Sequence, residues 1–109
     1  MPPGQRLIFV SGQVAVDETG SLVGKGDVPV QATQVFKNIH RILLDSGATI
    51  DDIVKINWYF RDMNDRSKIA AAREQFLGAH RPASTAVAIS RLVKEDWLIE
   101  VDCVAAVRG

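Results

Sequence analysis

The sequence has one cysteine, Cys103, in 109 residues, so no internal disulfide can form. It has two histidines, His40 and His80, too few and too far apart for the spacing of a metal site. It has no charge of one sign to spare: 13 basic and 13 acidic residues cancel. The basic residues are scattered, and no run of five like charges occurs. A sequence-independent nucleic-acid binder needs a basic surplus to release counterions from phosphates, so that class is not expected. Trp58, Tyr59 and Trp97 lack the interleaved basic residues of a base-stacking platform and read as core or interface packing. Gly24-Lys25-Gly26 lacks the spacing of a phosphate loop. No apolar stretch is long enough to span a bilayer. Met1-Pro2-Pro3-Gly4 is followed by no basic-then-apolar leader, so a cytoplasmic location is the default expectation. Neither a metal nor a cofactor is expected.

What is present is ordinary in amount, with 47% hydrophobic and 24% charged residues, and fits one globular domain over residues 1–109. Leu7 to Val16 reads as two strand pieces joined at a bend near Gly12, followed by an Asp17-Glu18-Thr19-Gly20 turn. From Val30 the period becomes helical. Ala32, Val35, Phe36, Ile39, Ile42, Leu43 and Leu44 form the apolar stripe, and Gln31, Lys37, Asn38 and Arg41 fall outside it. His40 is expected on the exposed or rim side of this helix. Gly47 stands where a C-cap glycine belongs. Ile56, Trp58 and Phe60 alternate with Lys55, Asn57 and Tyr59 in a half-buried strand. Asp62 to Asp65 caps a second helix running from Arg66 to about Gly78, and His80-Arg81-Pro82 breaks it.

The last quarter carries two apolar runs, Ala83 to Leu92 and Leu98 to Val104, around a charged turn at Lys94-Glu95-Asp96. It reads as a β-hairpin with a long loop. Cys103, inside the second run, reads as a small buried hydrophobe. The element order is β-β-α-β-α-β-β, an α+β domain with a mixed sheet and two helices on one face. Val87, Ile89, Val101 and Cys103 are expected to leave the other face apolar, which implies a homo-oligomer that covers it. Glu100 is a carboxylate set into the second apolar run. Such a charge is costly unless it is paired or lines a polar pocket.

Phe9-Val10-Ser11-Gly12-Gln13, Asp52-Ile53-Val54-Lys55, Asp62-Met63-Asn64-Asp65 and the Pro82-Ala83 to Ile99-Glu100-Val101 segment occur in the order and spacing of the RidA (YjgF, L-PSP) family, which the chain resembles over nearly its whole length. The resemblance implies a chorismate-mutase-like fold and a homotrimer with a central barrel of sheets. It also implies small-molecule clefts between subunits. Family members hydrolyse enamines and imines such as 2-aminoacrylate; others are linked to ribonuclease or translation-inhibiting activity. The family motif Pro-Ala-Arg, whose arginine grips the substrate carboxylate, reads here Pro82-Ala83-Ser84. Ser11 and Glu100 match the family's serine and glutamate, and Ala70 stands where an asparagine is common. The family's N-terminal tyrosine has no counterpart in this chain.

The site residues implied are Glu100 as proton-handling group, with Ser11, Gly12, Ser84 and Thr85 against the ligand. Each has a plainer reading. Glu100 could be a structural carboxylate at an interface, and Ser11 could satisfy its own backbone. Ser84 has no His or Lys positioned by sequence to activate it, so it is expected to line the cleft without reacting. Arg73, Arg81 and Arg91 are the candidates to replace the missing guanidinium. Without a replacement, charge balance favours a neutral or cationic ligand and makes 2-aminoacrylate deamination doubtful. The functional expectation is a trimer that binds or processes a small nitrogen-containing metabolite. The alternatives are a non-enzymatic binding or regulatory trimer and, with less support, an endoribonuclease.

Overall fold

The computed structural model describes residues 4–108. The elements are β1 (Gln5–Gln13), α1 (Val28–Asp45), β2 (Ile53–Phe60), α2 (Arg66–Leu77), β3 (Ala83–Ala88) and β4 (Ile99–Arg108), with single 3-10 turns at Ile50–Asp52 and Met63–Asp65. The four strands make one mixed sheet in the order β1-β4-β2-β3. The α+β class and the two-helix arrangement are those expected. Ile39, Leu43 and Ile69 from the helices pack in one cluster with Ile56, Phe60, Ile99 and Val101 from the sheet.

Two strand expectations are corrected. The last two runs do not form a hairpin. β3 pairs in parallel with β2, while β4 lies antiparallel between β2 and β1. A parallel pair needs a crossover rather than a tight turn, and α2 supplies it between β2 and β3. The second of the two N-terminal strand pieces is not a strand either, and shrinks to a single bridge between Val16 and Leu22. Its turn is held by Asp17, which accepts from the backbone N–H of Thr19 and Ser21 at 2.9 and 3.0 Å and from the Thr19 hydroxyl at 2.6 Å. The carbonyls of Val14 and Val16 take side-chain donors instead of a strand partner. Asn38 Nδ2 donates to both, at 3.1 and 2.9 Å.

That explains a third correction. Gln31 and Asn38, placed outside the helical stripe by periodicity, are buried at 0% and 6% exposure, while Leu44 is 55% exposed. A buried amide must find partners or cost free energy. Gln31 finds three: its Nε2 donates to Gly24 O and Asp96 O at 3.1 and 2.9 Å, and its Oε1 accepts from Leu98 N at 2.9 Å. One side chain thus ties α1 to the loop before it and to the entry of β4.

α1 begins with Asp27 accepting from Val30 N at 3.1 Å, with Pro29 in the first turn where its missing N–H does no harm. It ends as expected at Gly47. The left-handed φ of 83° lets Gly47 N donate to Leu44 O and Ala48 N to Leu43 O, a Schellman closure that buries Ala48. His40 is exposed, as expected. His80, beyond α2, uses Nε2 to donate to Ile53 O at 2.7 Å and fixes the start of β2. Among the described residues, no helix is long and apolar enough to cross a membrane.

Replacing Gln31 with methionine keeps its volume and strands two backbone groups, Asp96 O and Leu98 N, while Gly24 O keeps the Asp27 N–H. We expect a loss of about 2–4 kcal/mol, read as a lower urea midpoint at unchanged slope.

Candidate functional site

The site begins with β4. Its residues alternate: Ile99, Val101, Cys103, Ala105 and Val107 point into the core, and Glu100 and Asp102 point to the opposite face. Val101 and Cys103 therefore do not contribute to the outer apolar face, contrary to the sequence expectation. That face carries Phe9, 74% exposed, with Leu7 and Val87. Tyr59 pairs with Glu100 across the ladder, and Asn57 with Asp102, where Asn57 Nδ2 donates to Asp102 Oδ1 at 2.8 Å.

Beside Glu100, the β1–β4 register shifts between Val10 and Gln13, and Ser11 and Gly12 occupy the irregularity. A Cβ on Gly12 would meet Glu100 Oε2 and lie 2.6 Å from Glu100 Cδ, so a side chain there would displace the carboxylate. The glutamate thus lies across the glycine. Its pKa is raised from the ordinary carboxylate range, first by burial and then by the Asp102 charge. Tyr59 is also raised, by desolvation and then by Asp102 and Glu100. Burial, with Asp102 second, pushes the Cys103 thiol up to about 12, so it stays protonated in the core.

Ser84 is elsewhere. It is paired in register with Ile56, on the helix side of the sheet, and its Oγ accepts from the indole Nε1 of Trp58 at 2.7 Å. It lines a cavity of about 370 Å3 with Trp58, Arg66, Ala70, Arg73 and Ala86. The Arg73 guanidinium stacks over the Trp58 ring, 4.7 Å from its centroid. Thr85 turns the other way, and its hydroxyl accepts from Lys55 Nζ at 3.2 Å.

The five residues grouped by sequence therefore fall on two sheet faces within one chain. Gly12 and Glu100 sit together on the outer side, Ser11 precedes Gly12 in the β1 irregularity, and Thr85 is on that face at the β3 edge. Ser84 lies on the helix side. Of the three arginines considered as replacements, Arg73 reaches the Ser84 cavity. Arg81 instead donates to Gly78 O and His80 O at 2.6 and 3.0 Å and pairs with Glu74. Arg91 donates to Leu92 O and Val93 O, within its own loop. Arg66 was missed. The signal was available, because Arg66, Ala70 and Arg73 recur at helical spacing and share one face of α2. Among the described residues, no group of three His, Cys, Asp or Glu is placed to hold a metal ion.

The family model described as Endoribonuclease L-PSP matches residues 4–107. A RutC family protein of Pyrococcus abyssi is 43% identical over 91% of this chain and 77% of its own length. The 2-iminobutanoate/2-iminopropanoate deaminase of Salmonella typhimurium is 34% identical, covering 94% of this chain and 80% of its own. Among solved structures, RidA from the Antarctic bacterium Psychrobacter superposes with a TM-score of 0.86 at 29% identity, over 93% of this chain and 80% of that one.

Two measurements test this geometry. Gly12→Ala is expected to cost about 1 kcal/mol or more by forcing Glu100 off its rotamer. Adding Glu100→Ala should recover most of that loss, a coupling of at least about 0.5 kcal/mol in a urea double-mutant cycle. Cys103 is expected to resist thiol reagents at pH 8 in the native protein and to react once unfolded.

Proposed function

The chain belongs to the RidA (YjgF/L-PSP) family, and we propose that it acts as a homotrimer whose clefts, formed between copies, bind and hydrolyse a small nitrogen-containing metabolite of the imine or enamine class. The observation that carries this reading is the division of the site residues. Glu100 and Gly12 lie on one face of the sheet and the Ser84 cavity on the other. A cleft holding both needs the Glu100 face of one copy against the cavity of another. The exposed Phe9, Leu7 and Val87 supply apolar surface for that contact, and a closed ring of three leaves none of it open.

In the reaction proposed, water adds to the carbon of the C=N bond. The nitrogen takes up protons and leaves as ammonia, and a C=O bond remains. Glu100 receives the proton from the attacking water and returns it to the departing nitrogen. A carboxyl group with a raised pKa is suited to both halves of that exchange near neutral pH. The similarity to an iminobutanoate/iminopropanoate deaminase supports this reaction class. Zero net charge and scattered basic residues support a metabolite over RNA as the ligand. A cytoplasmic location is part of the same reading.

The test is complementation between copies. Imine is generated in place by an amino-acid oxidase, and oxoacid release is followed. Glu100→Gln removes the proton-handling group, and Ala70→Trp fills the cavity. Each variant alone should be inactive. A co-refolded mixture should regain part of the wild-type rate, because some clefts then join an intact Glu100 to an intact cavity. Wild-type activity with no recovery in the mixture would place the whole site in one chain and sink the proposal. A wild-type protein that is monomeric and without effect on imine hydrolysis would sink it equally.

A further inference from the structure

We propose that the Ser84 cavity holds an oxyanion of its ligand, a carboxylate or a phosphate, through Arg73, with Arg66 adding to the attraction from the cavity mouth. This reverses the charge preference that Ser84 suggested by itself. It rests on the reading of this cavity as the ligand site and adds which residues set the ligand's charge.

Among the described residues, Arg66 and Arg73 are the only charged ones lining the cavity, so no carboxylate within that lining cancels them. Guanidinium is the side chain best fitted to a planar or tetrahedral oxyanion, through paired charge-assisted hydrogen bonds. Arg73 is held in place rather than free to wander, because it stacks on Trp58, which is 4% exposed and rigid in the core. Its acidic neighbour is a poor partner. Glu74 Oε1 stands 3.8 Å from Arg73, while the same carboxylate pairs with Arg81 at 3.0 Å. Glu74 is also half exposed, so solvent screens it.

Arg66 is harder to explain by stability. It is the first residue of α2, where the helix dipole disfavours a cation, and the first turn of α2 holds no acidic residue. Among the described residues it has no ion pair. Seven residues separate it from Arg73, two helical turns, so both leave the same face of α2. Ser84 completes the arrangement. Its oxygen already accepts from Trp58, which leaves its own O–H to donate to a bound anion. A charge absent from the strand is thus supplied by the neighbouring helix.

The probes are pyruvate, its neutral amide pyruvamide, and inorganic phosphate, titrated into the assembled protein by calorimetry at low and high salt. At low salt, pyruvate or phosphate should bind about tenfold or more tightly than pyruvamide, the size expected of a charge-assisted contact. Tighter binding of pyruvate identifies a carboxylate as the natural group, and tighter binding of phosphate a phosphate. Arg73→Gln should abolish the preference for anions, bringing pyruvate and phosphate down to the affinity of pyruvamide for the same variant. Arg66→Gln, on the exposed first turn and remote from the Trp58 stack, should weaken it only at low salt. Equal binding of pyruvate, phosphate and pyruvamide, or an anion preference that survives Arg73→Gln, would overturn the proposal. Anion preference without any imine hydrolysis would leave this inference standing and defeat the deaminase reading. Hydrolysis without anion preference would do the reverse.

Discussion

A strand in the middle of a sheet has neighbours on both edges. β4 occupies that place, between β1 and β2. Its two-residue period divides its side chains into a set that packs under the helices and a set that faces outward. Ile99, Val101 and Cys103 make the core, and Glu100 and Asp102 are forced to the other side. Slipping the register by one residue would bury both carboxylates and expose the apolar set. The same constraint that builds the hydrophobic core therefore places the one candidate proton-handling group, and the glycine at the β1 irregularity clears the space it lies in.

The polar residues of α1 do a second kind of work. Gln31 and Asn38 sit where helical periodicity calls for solvent, yet both are buried, and the amide N–H groups of both go to backbone carbonyls. They stand in for strand pairing along Val14–Val16 and hold the loop that delivers β4. No buried side-chain nitrogen or oxygen is left without a partner among the described residues. Loops that carry no ladder of their own are thereby fixed against the same helix that packs on the sheet.

The helix-side cavity takes its charge from a different element than the strand that lines it. Ser84 carries none, and read alone it argues for a ligand without negative charge. In the folded chain, Trp58 joins the strand to the helix: its N–H goes to Ser84 and its ring carries Arg73. The field in the cavity is then set by α2. This follows from the crossover, which lays α2 over the β2–β3 edge and puts Arg66, Ala70 and Arg73 above Ser84 and Ala86.

Much of this was legible in the sequence. The helical stripe of α1, the Gly47 cap, the inward alternation of Ile56, Trp58 and Phe60, the burial of Cys103 and the α+β class all follow from periods and caps, which are local. The family resemblance singled out Glu100, Ser11, Gly12, Ser84 and Thr85 as candidates. Strand order was not legible. Ala83–Ala88 and Ile99–Arg108 are adjacent in sequence but not in the sheet, and the hairpin reading failed because pairing is decided by the crossover helix rather than by the intervening turn. Tertiary structure alone decided that Gln31 and Asn38 are inside, that the site residues divide between two faces, and that Arg66 and Arg73 reach the Ser84 cavity. Periodicity reports which side of its own element a residue takes. Only packing sets which element lies opposite, and charge and hydrogen bonding act across that gap.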